Sequence, residues 1–116
     1  MVNLRQCIQD AEAQRVAIGH FNFSDLVGLR AIFGSARALK LPVIVGTSEG
    51  ERGFIGAREA VALVKFLRET YDFPIFINAD HTHSFDKVKE AVEAGYDAIL
   101  FDGGKLPLEE NFREAK

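Results

Sequence analysis

The stretch that decides the fold is Ile75-Phe76-Ile77-Asn78-Ala79-Asp80-His81-Thr82-His83-Ser84. Its apolar start follows Pro74 and reads as a buried strand. It ends in Asp80, His81 and His83, three groups able to move protons or bind metal. Ser84 then opens a helical pattern with Asp86 in its first turn. The chemistry therefore sits where a strand stops and a helix starts. Parallel α/β proteins bind ligands at the carboxyl ends of their strands.

The same arrangement recurs on both sides. Asn3 is placed to cap a helix with Leu4, Cys7, Ile8 and Ala11 on its apolar side, ending by Arg15. Val16–Phe23 reads as a strand that turns polar at His20 and Asn22. Ser24 or Asp25 caps the next helix, whose apolar positions run through Leu26, Leu29, Ile32, Phe33, Ala36 and Leu39. Pro42–Gly46 is continuously apolar, as suits a parallel strand covered on both faces, and leads into Thr47-Ser48-Glu49. Gly50–Gly56 has three glycines and reads as a loop over the strand ends. Ala57–Tyr71 reads as a helix, and Ser84–Ala94 as another with Gly95 as its stop. Tyr96–Phe101 is a fourth strand ending in Asp102-Gly103-Gly104, and a last helix begins near Pro107 and Leu108. Strands ending in polar groups thus recur roughly 25 to 30 residues apart, the length of a βα unit. Four in succession imply one shared site at one edge of a parallel sheet.

Composition narrows the function. The 116 residues suffice for one domain, and a net charge of −3 without a basic run gives no footprint for nucleic acid or an anionic membrane surface. No apolar run reaches the roughly 20 residues that span a bilayer. The single cysteine, Cys7, excludes an internal disulfide and suits a reducing cytoplasm. The ten phenylalanines fall mostly on apolar positions and read as core. A complete (β/α)8 barrel needs about 250 residues. The 116 residues are about half of that. A four-stranded open α/β sheet could stand alone, but half a barrel would expose the edges of its first and fourth strands. The sequence is therefore expected to be an N-terminal portion of a longer chain.

The order and spacing of Ala17-Ile18-Gly19-His20-Phe21-Asn22, Pro42–Gly50, Asp80-His81, Ala94–Asp97, Phe101-Asp102-Gly103 and Leu106–Asn111 carry a resemblance. Over its whole length the chain resembles the class II, metal-dependent fructose-bisphosphate aldolases. The resemblance implies the first half of a TIM barrel. It also implies zinc-dependent aldol cleavage of fructose 1,6-bisphosphate to dihydroxyacetone phosphate and glyceraldehyde 3-phosphate. The full-length form would be a homo-oligomer. Carried over by position, Asp80 matches the acid/base at the cleaved bond and His81 a zinc ligand. Asn22 and Ser48 match substrate-holding positions, and Asp102 a carboxylate near the metal. The family pattern is usually His-x-Asp-His; here Asn78 stands first. The remaining family ligands and phosphate loops belong to the second half of the barrel, so the 116-residue chain by itself is expected to bind zinc weakly and to be inactive. His20 reads as a packed, hydrogen-bonded residue and His83 as solvated or capping. Two other functions fit the same residues. One is cleavage of a related ketose bisphosphate such as tagatose bisphosphate. The other is a catalytically inactive half-barrel that self-associates.

Overall fold

The computed structural model describes residues 2–116. Its elements are α1 (Leu4–Gln14), β1 (Gly19–Asn22), α2 (Leu26–Leu39), β2 (Val43–Thr47), α3 (Glu49–Ile55), α4 (Ala57–Tyr71), β3 (Ile75–Thr82), α5 (Phe85–Ala94), β4 (Ala98–Phe101) and α6 (Leu108–Ala115). The four strands form one parallel sheet in the order β1-β2-β3-β4. Sequential parallel strands joined by helices are the βα repeat that the sequence predicts.

The core lies between one face of the sheet and α2, α4 and α5. Leu29, Val45, Val64, Ile75 and Ala79 are fully enclosed there. The opposite face carries His20, Asn22, Asn78 and Asp80, none of which is buried. Alternation along the strands sorts the two sets.

Helix ends follow local chemistry. Asn3, Asp25, Ser48 and Ser84 each accept a backbone N–H in the first turn of the helix they cap. Four helices end on a left-handed residue: Arg15 (φ 56°), Lys40 (φ 56°), Asp72 (φ 47°) and Gly95 (φ 95°). Only the last has no Cβ to strain.

Two sequence expectations need correction. The glycine-rich segment is no loop but the helix α3, held by a capping box in which Ser48 and Glu51 exchange side-chain-to-backbone bonds. Neither Gly50 nor Gly53 meets anything a Cβ would strike, so those glycines impose no turn. The phenylalanines are also not mostly core. Phe21, Phe54, Phe66, Phe85 and Phe112 are exposed, because the single helical layer leaves its outer side and one sheet face uncovered. Phe23, Phe33 and Phe76 are buried as expected, and so is Cys7, whose thiol pKa is pushed up by that burial.

Candidate active site

β3 carries one residue more than its partner at its carboxyl end. Ala79 pairs with Ile99, but Thr82 pairs with Phe101, so three steps on β3 match two on β4. His81 absorbs the surplus in a left-handed conformation, φ 48°. This is a β-bulge, and it breaks the alternation of side chains. Ala79 and Thr82 both turn toward the core, fully buried, while Asp80 and His81 both turn outward. A regular strand would have sent His81 to the face opposite Asp80. The backbone N–H of Asp102 donates to Thr82 O at 2.7 Å, which brings Asp102 alongside the bulge.

The side chains then form a connected set. His81 Nδ1 lies 3.0 Å from Asp102 Oδ2. A carboxylate only accepts, so Nδ1 carries the proton and donates. The lone pair of the neutral ring is thereby placed on Nε2, 3.8 Å from Asp80 Oδ2. The bond to Asp102 raises the His81 pKa, and the charge of Asp80 adds to the rise. Conversely, the bond from His81 lowers the Asp102 pKa, assisted by the N–H of Gly104. The Asn22 amide donates one hydrogen to Asp80 Oδ2 and one to Glu51 Oε2, each at 3.1 Å. Glu51 Oε2 also accepts the Ser48 N–H at 2.6 Å.

All five residues singled out from the sequence therefore converge. Asn22 touches Asp80, Asp80 neighbours His81, His81 is bonded to Asp102, and Ser48 joins through Glu51. The Ser48 hydroxyl accepts the Glu51 N–H at 3.2 Å and caps α3. His20 is hydrogen-bonded but not packed. It is exposed, with Nε2 3.1 Å from the Asn78 amide nitrogen across Gly46. His83 caps no helix, a role Ser84 takes for α5. Its N–H donates to Glu49 Oε1 at 2.8 Å, its Nδ1 lies 3.3 Å from Asp102 O, and its ring is nearly parallel to that of His81 at 6.5 Å.

Sequence reasoning missed Glu51 and Arg52. Their signal was present as Ser48-x-x-Glu51, the pattern of a capping box. Arg52 is buried beneath the site, with Nη1 donating to Thr47 O and Asp80 O and Nη2 to Thr82 Oγ1.

Comparison with known proteins places this geometry. The family model for class-II fructose-bisphosphate aldolase matches residues 2–116. The chain belongs to that family. It is 35% identical over 116 residues to a fructose-bisphosphate aldolase of Geobacillus stearothermophilus, covering 97% of this chain and 40% of that protein. It is 37% identical over 121 residues to one of Streptococcus pneumoniae, covering 100% of this chain and 40% of that one. The chain thus spans about two fifths of the length of these aldolase relatives. Among solved structures, the YdjI aldolase of Escherichia coli K12 superposes with a TM-score of 0.84 at 24% identity, over 97% of this chain and 44% of that one. A fructose-bisphosphate aldolase of Campylobacter jejuni gives 0.80 at 20% identity, over 97% and 40%. The four βα units are the half-barrel of this aldolase fold.

The family implies a divalent metal, and the residues fit one in part. His81 offers Nε2 while Asp102 holds Nδ1, the outer-shell arrangement usual for a ligating imidazole. Among the described residues, no three His, Cys, Asp or Glu side chains converge closely enough to hold an ion. His81 therefore forms no metal centre with the other described residues.

Proposed function

We propose that this chain carries the proton-handling part of a class II aldolase site. The reaction is reversible cleavage of fructose 1,6-bisphosphate to dihydroxyacetone phosphate and glyceraldehyde 3-phosphate. The observation that supports the reading best is the β3 bulge, which turns Asp80 and His81 to the same side.

In the cleavage direction, Asp80 accepts the hydrogen of the hydroxyl on the carbon that becomes the aldehyde. The carbon–carbon bond then breaks, its electron pair passing into the adjacent carbonyl to give an enediolate. The enediolate takes a proton at carbon from solvent, while Asp80 releases the hydroxyl proton to solvent. Asp80 returns the proton in condensation. A carboxylate suits both steps because it accepts and releases a proton at one fixed point. Asn22 donates an N–H to Asp80 Oδ2, which restrains the carboxylate and leaves Oδ1 free of that bond. Asn22 Oδ1 is left to accept from a substrate hydroxyl, and the Ser48 hydroxyl to donate to a hydroxyl or phosphate oxygen. His81 Nε2 would hold the zinc ion, with Asp102 keeping the ring oriented through Nδ1. When bound, that ion supplies Lewis-acid polarisation of the substrate carbonyl. Its other ligands would come from outside this chain.

The test is Asp80→Asn in the zinc-loaded enzyme, assayed for fructose 1,6-bisphosphate cleavage. The side chain keeps its size and its bond to Asn22 is reoriented, but it no longer takes a proton. Turnover is expected to fall by about 100- to 10,000-fold, the usual worth of a positioned acid/base. Retention of wild-type turnover would remove Asp80 from the chemistry. Assay of tagatose 1,6-bisphosphate beside the fructose substrate separates the two lyase readings.

A further inference from the structure

Among the described residues, Arg52 is the only charged side chain that is buried, with 7% of its surface exposed. It makes no ion pair with any of them. Placing a guanidinium out of water without a carboxylate is costly unless its donors are well used. An apolar side chain would fill the same slot at lower cost. The donors of Arg52 go to a narrow set of atoms. Nη1 reaches Thr47 O at the end of β2 and Asp80 O at 3.2 Å, and Nη2 reaches Thr82 Oγ1 at 2.9 Å. Thr82 Oγ1 in turn donates to Ala79 O at 3.3 Å.

These contacts enclose the bulge. Ala79 O and Asp80 O precede His81 and Thr82 Oγ1 follows it. The guanidinium joins Asp80 O to Thr82 Oγ1, which itself reaches back to Ala79 O. His81 has a Cβ and a positive φ, a conformation disfavoured by about 1–2 kcal/mol unless its surroundings impose it. Arg52 is rooted in α3, which only Ser48 separates from the end of β2. It therefore ties the bulge to the neighbouring strand end rather than to its own strand.

We propose that Arg52 is a positioning residue for the Asp80–His81 pair. Its guanidinium holds the surplus residue of β3 in the left-handed conformation, so that both side chains reach one site. The catalytic half of this inference rests on the roles proposed above for Asp80 and His81; the conformational half does not.

The experiment uses the full chain with Arg52→Met, Arg52→Ala and the milder Arg52→Lys. Backbone NMR of metal-free protein is the first readout. Resonances of Asp80, His81 and Thr82 are expected to move or broaden in Met and Ala variants, and less in Lys. Those of Val43, Val45, Ile75 and Ile77 should stay in place. Bulge resonances unmoved in all three variants would overturn the proposal. So would equal changes throughout the sheet, which mark a general packing role. If Met and Ala do not fold, Lys decides by the same criterion.

The second readout is cleavage of fructose 1,6-bisphosphate with zinc. About 100-fold lower kcat, with KM within about 3-fold, is expected of Arg52→Ala, as for an angstrom-scale misplacement of reacting groups. Added guanidinium ion should restore about 10-fold of that in Arg52→Ala but nothing in Leu29→Ala, a packing control. Unchanged kcat per folded molecule would overturn the catalytic half. The 116-residue chain by itself is expected to be inactive, so this readout is made in the zinc-loaded enzyme that supplies the other ligands. If that enzyme, unaltered, cleaves no ketose bisphosphate, the lyase reading has failed and the catalytic half with it, while the NMR result still judges the conformational half.

Discussion

Gly46→Ala tests the site with the smallest possible change. A Cβ built on Gly46 would lie 2.5 Å from Asn22 Oδ1, 2.5 Å from His20 Cε1 and 2.7 Å from His20 Nε2. Ordinary non-bonded contact is about 3.5–4.0 Å, so both side chains must retreat by about 1 Å. Three hydrogen bonds are then stretched beyond bonding range: Asn22 to Asp80, Asn22 to Glu51 and Asn78 to His20, each 3.1 Å. These groups are exposed, so each bond contributes at the low end of about 0.5–1.5 kcal/mol. Replacing a strand glycine returns about 0.5–1 kcal/mol through the unfolded chain. The net effect on stability is expected to be a loss of about 1 kcal/mol or less. The effect on the site is large, since an angstrom at the reacting groups is worth about 100-fold in turnover. Urea unfolding would report the first quantity. Side-chain amide NMR signals of Asn22 and Asn78 would report the second without substrate or metal. The expected pair of results is a midpoint lowered by an amount worth no more than about 1 kcal/mol, together with displaced amide signals. Amide signals unmoved from the unaltered chain would refute the cradle over Gly46.

Three further expectations follow from the same structure. Leu29→Ala empties a fully enclosed position against the sheet and should cost about 2–5 kcal/mol in urea unfolding, with a cost under 1 kcal/mol contradicting its place in the core. Asp25→Ala removes the bond from the Gly28 N–H, 2.7 Å, that caps α2, and should cost about 1 kcal/mol by the same measurement. The His81–Asp102 pair gives a pH signature. The His81 pKa is raised on folding, so its contribution is complete below the unfolded imidazole value and is lost as pH rises through the folded one. The Asp102 pKa is lowered, so its contribution holds above the ordinary carboxylate value and is lost as pH falls through the depressed one. NMR titration should place the His81 midpoint above about 6.5, and Asp102→Asn should bring it down toward that value. An unchanged midpoint in the variant would show that the two groups do not interact in solution.

The βα repeat was readable from the sequence because periodicity and caps agree in most units. Asp25, Ser84 and Gly95 mark element ends, and the apolar run of β2 marks a strand covered on both faces. The convergence of Asn22, Asp80, His81 and Asp102 was readable as well, since each follows a strand of one parallel sheet. The bulge was not. Strand alternation puts Asp80 and His81 on opposite faces, and only the register against β4 shows otherwise. Glu51 and Arg52 were hidden for another reason. Gly50, Gly53 and Gly56 weigh toward a loop in any local reading, whereas Ser48 and Glu51 close a helical turn that overrides them. His20, just before the Phe21-Asn22 pair on the first strand, reads as packed and hydrogen-bonded; its partner, Asn78, is 58 positions away and on the uncovered face.

The left-handed helix ends have a use in protein engineering. Arg15, Lys40 and Asp72 each terminate a helix in a conformation that glycine adopts more easily. Helix ends in a βα repeat precede the next strand, so these three lie at the amino-terminal rim of the sheet, away from Asp80 and His81. Their replacement by glycine relieves about 1 kcal/mol of strain apiece, less the added freedom of the unfolded chain. The molecule therefore offers a rim for tuning robustness and an opposite rim for tuning chemistry. A thermostability screen confined to the first would leave the second undisturbed.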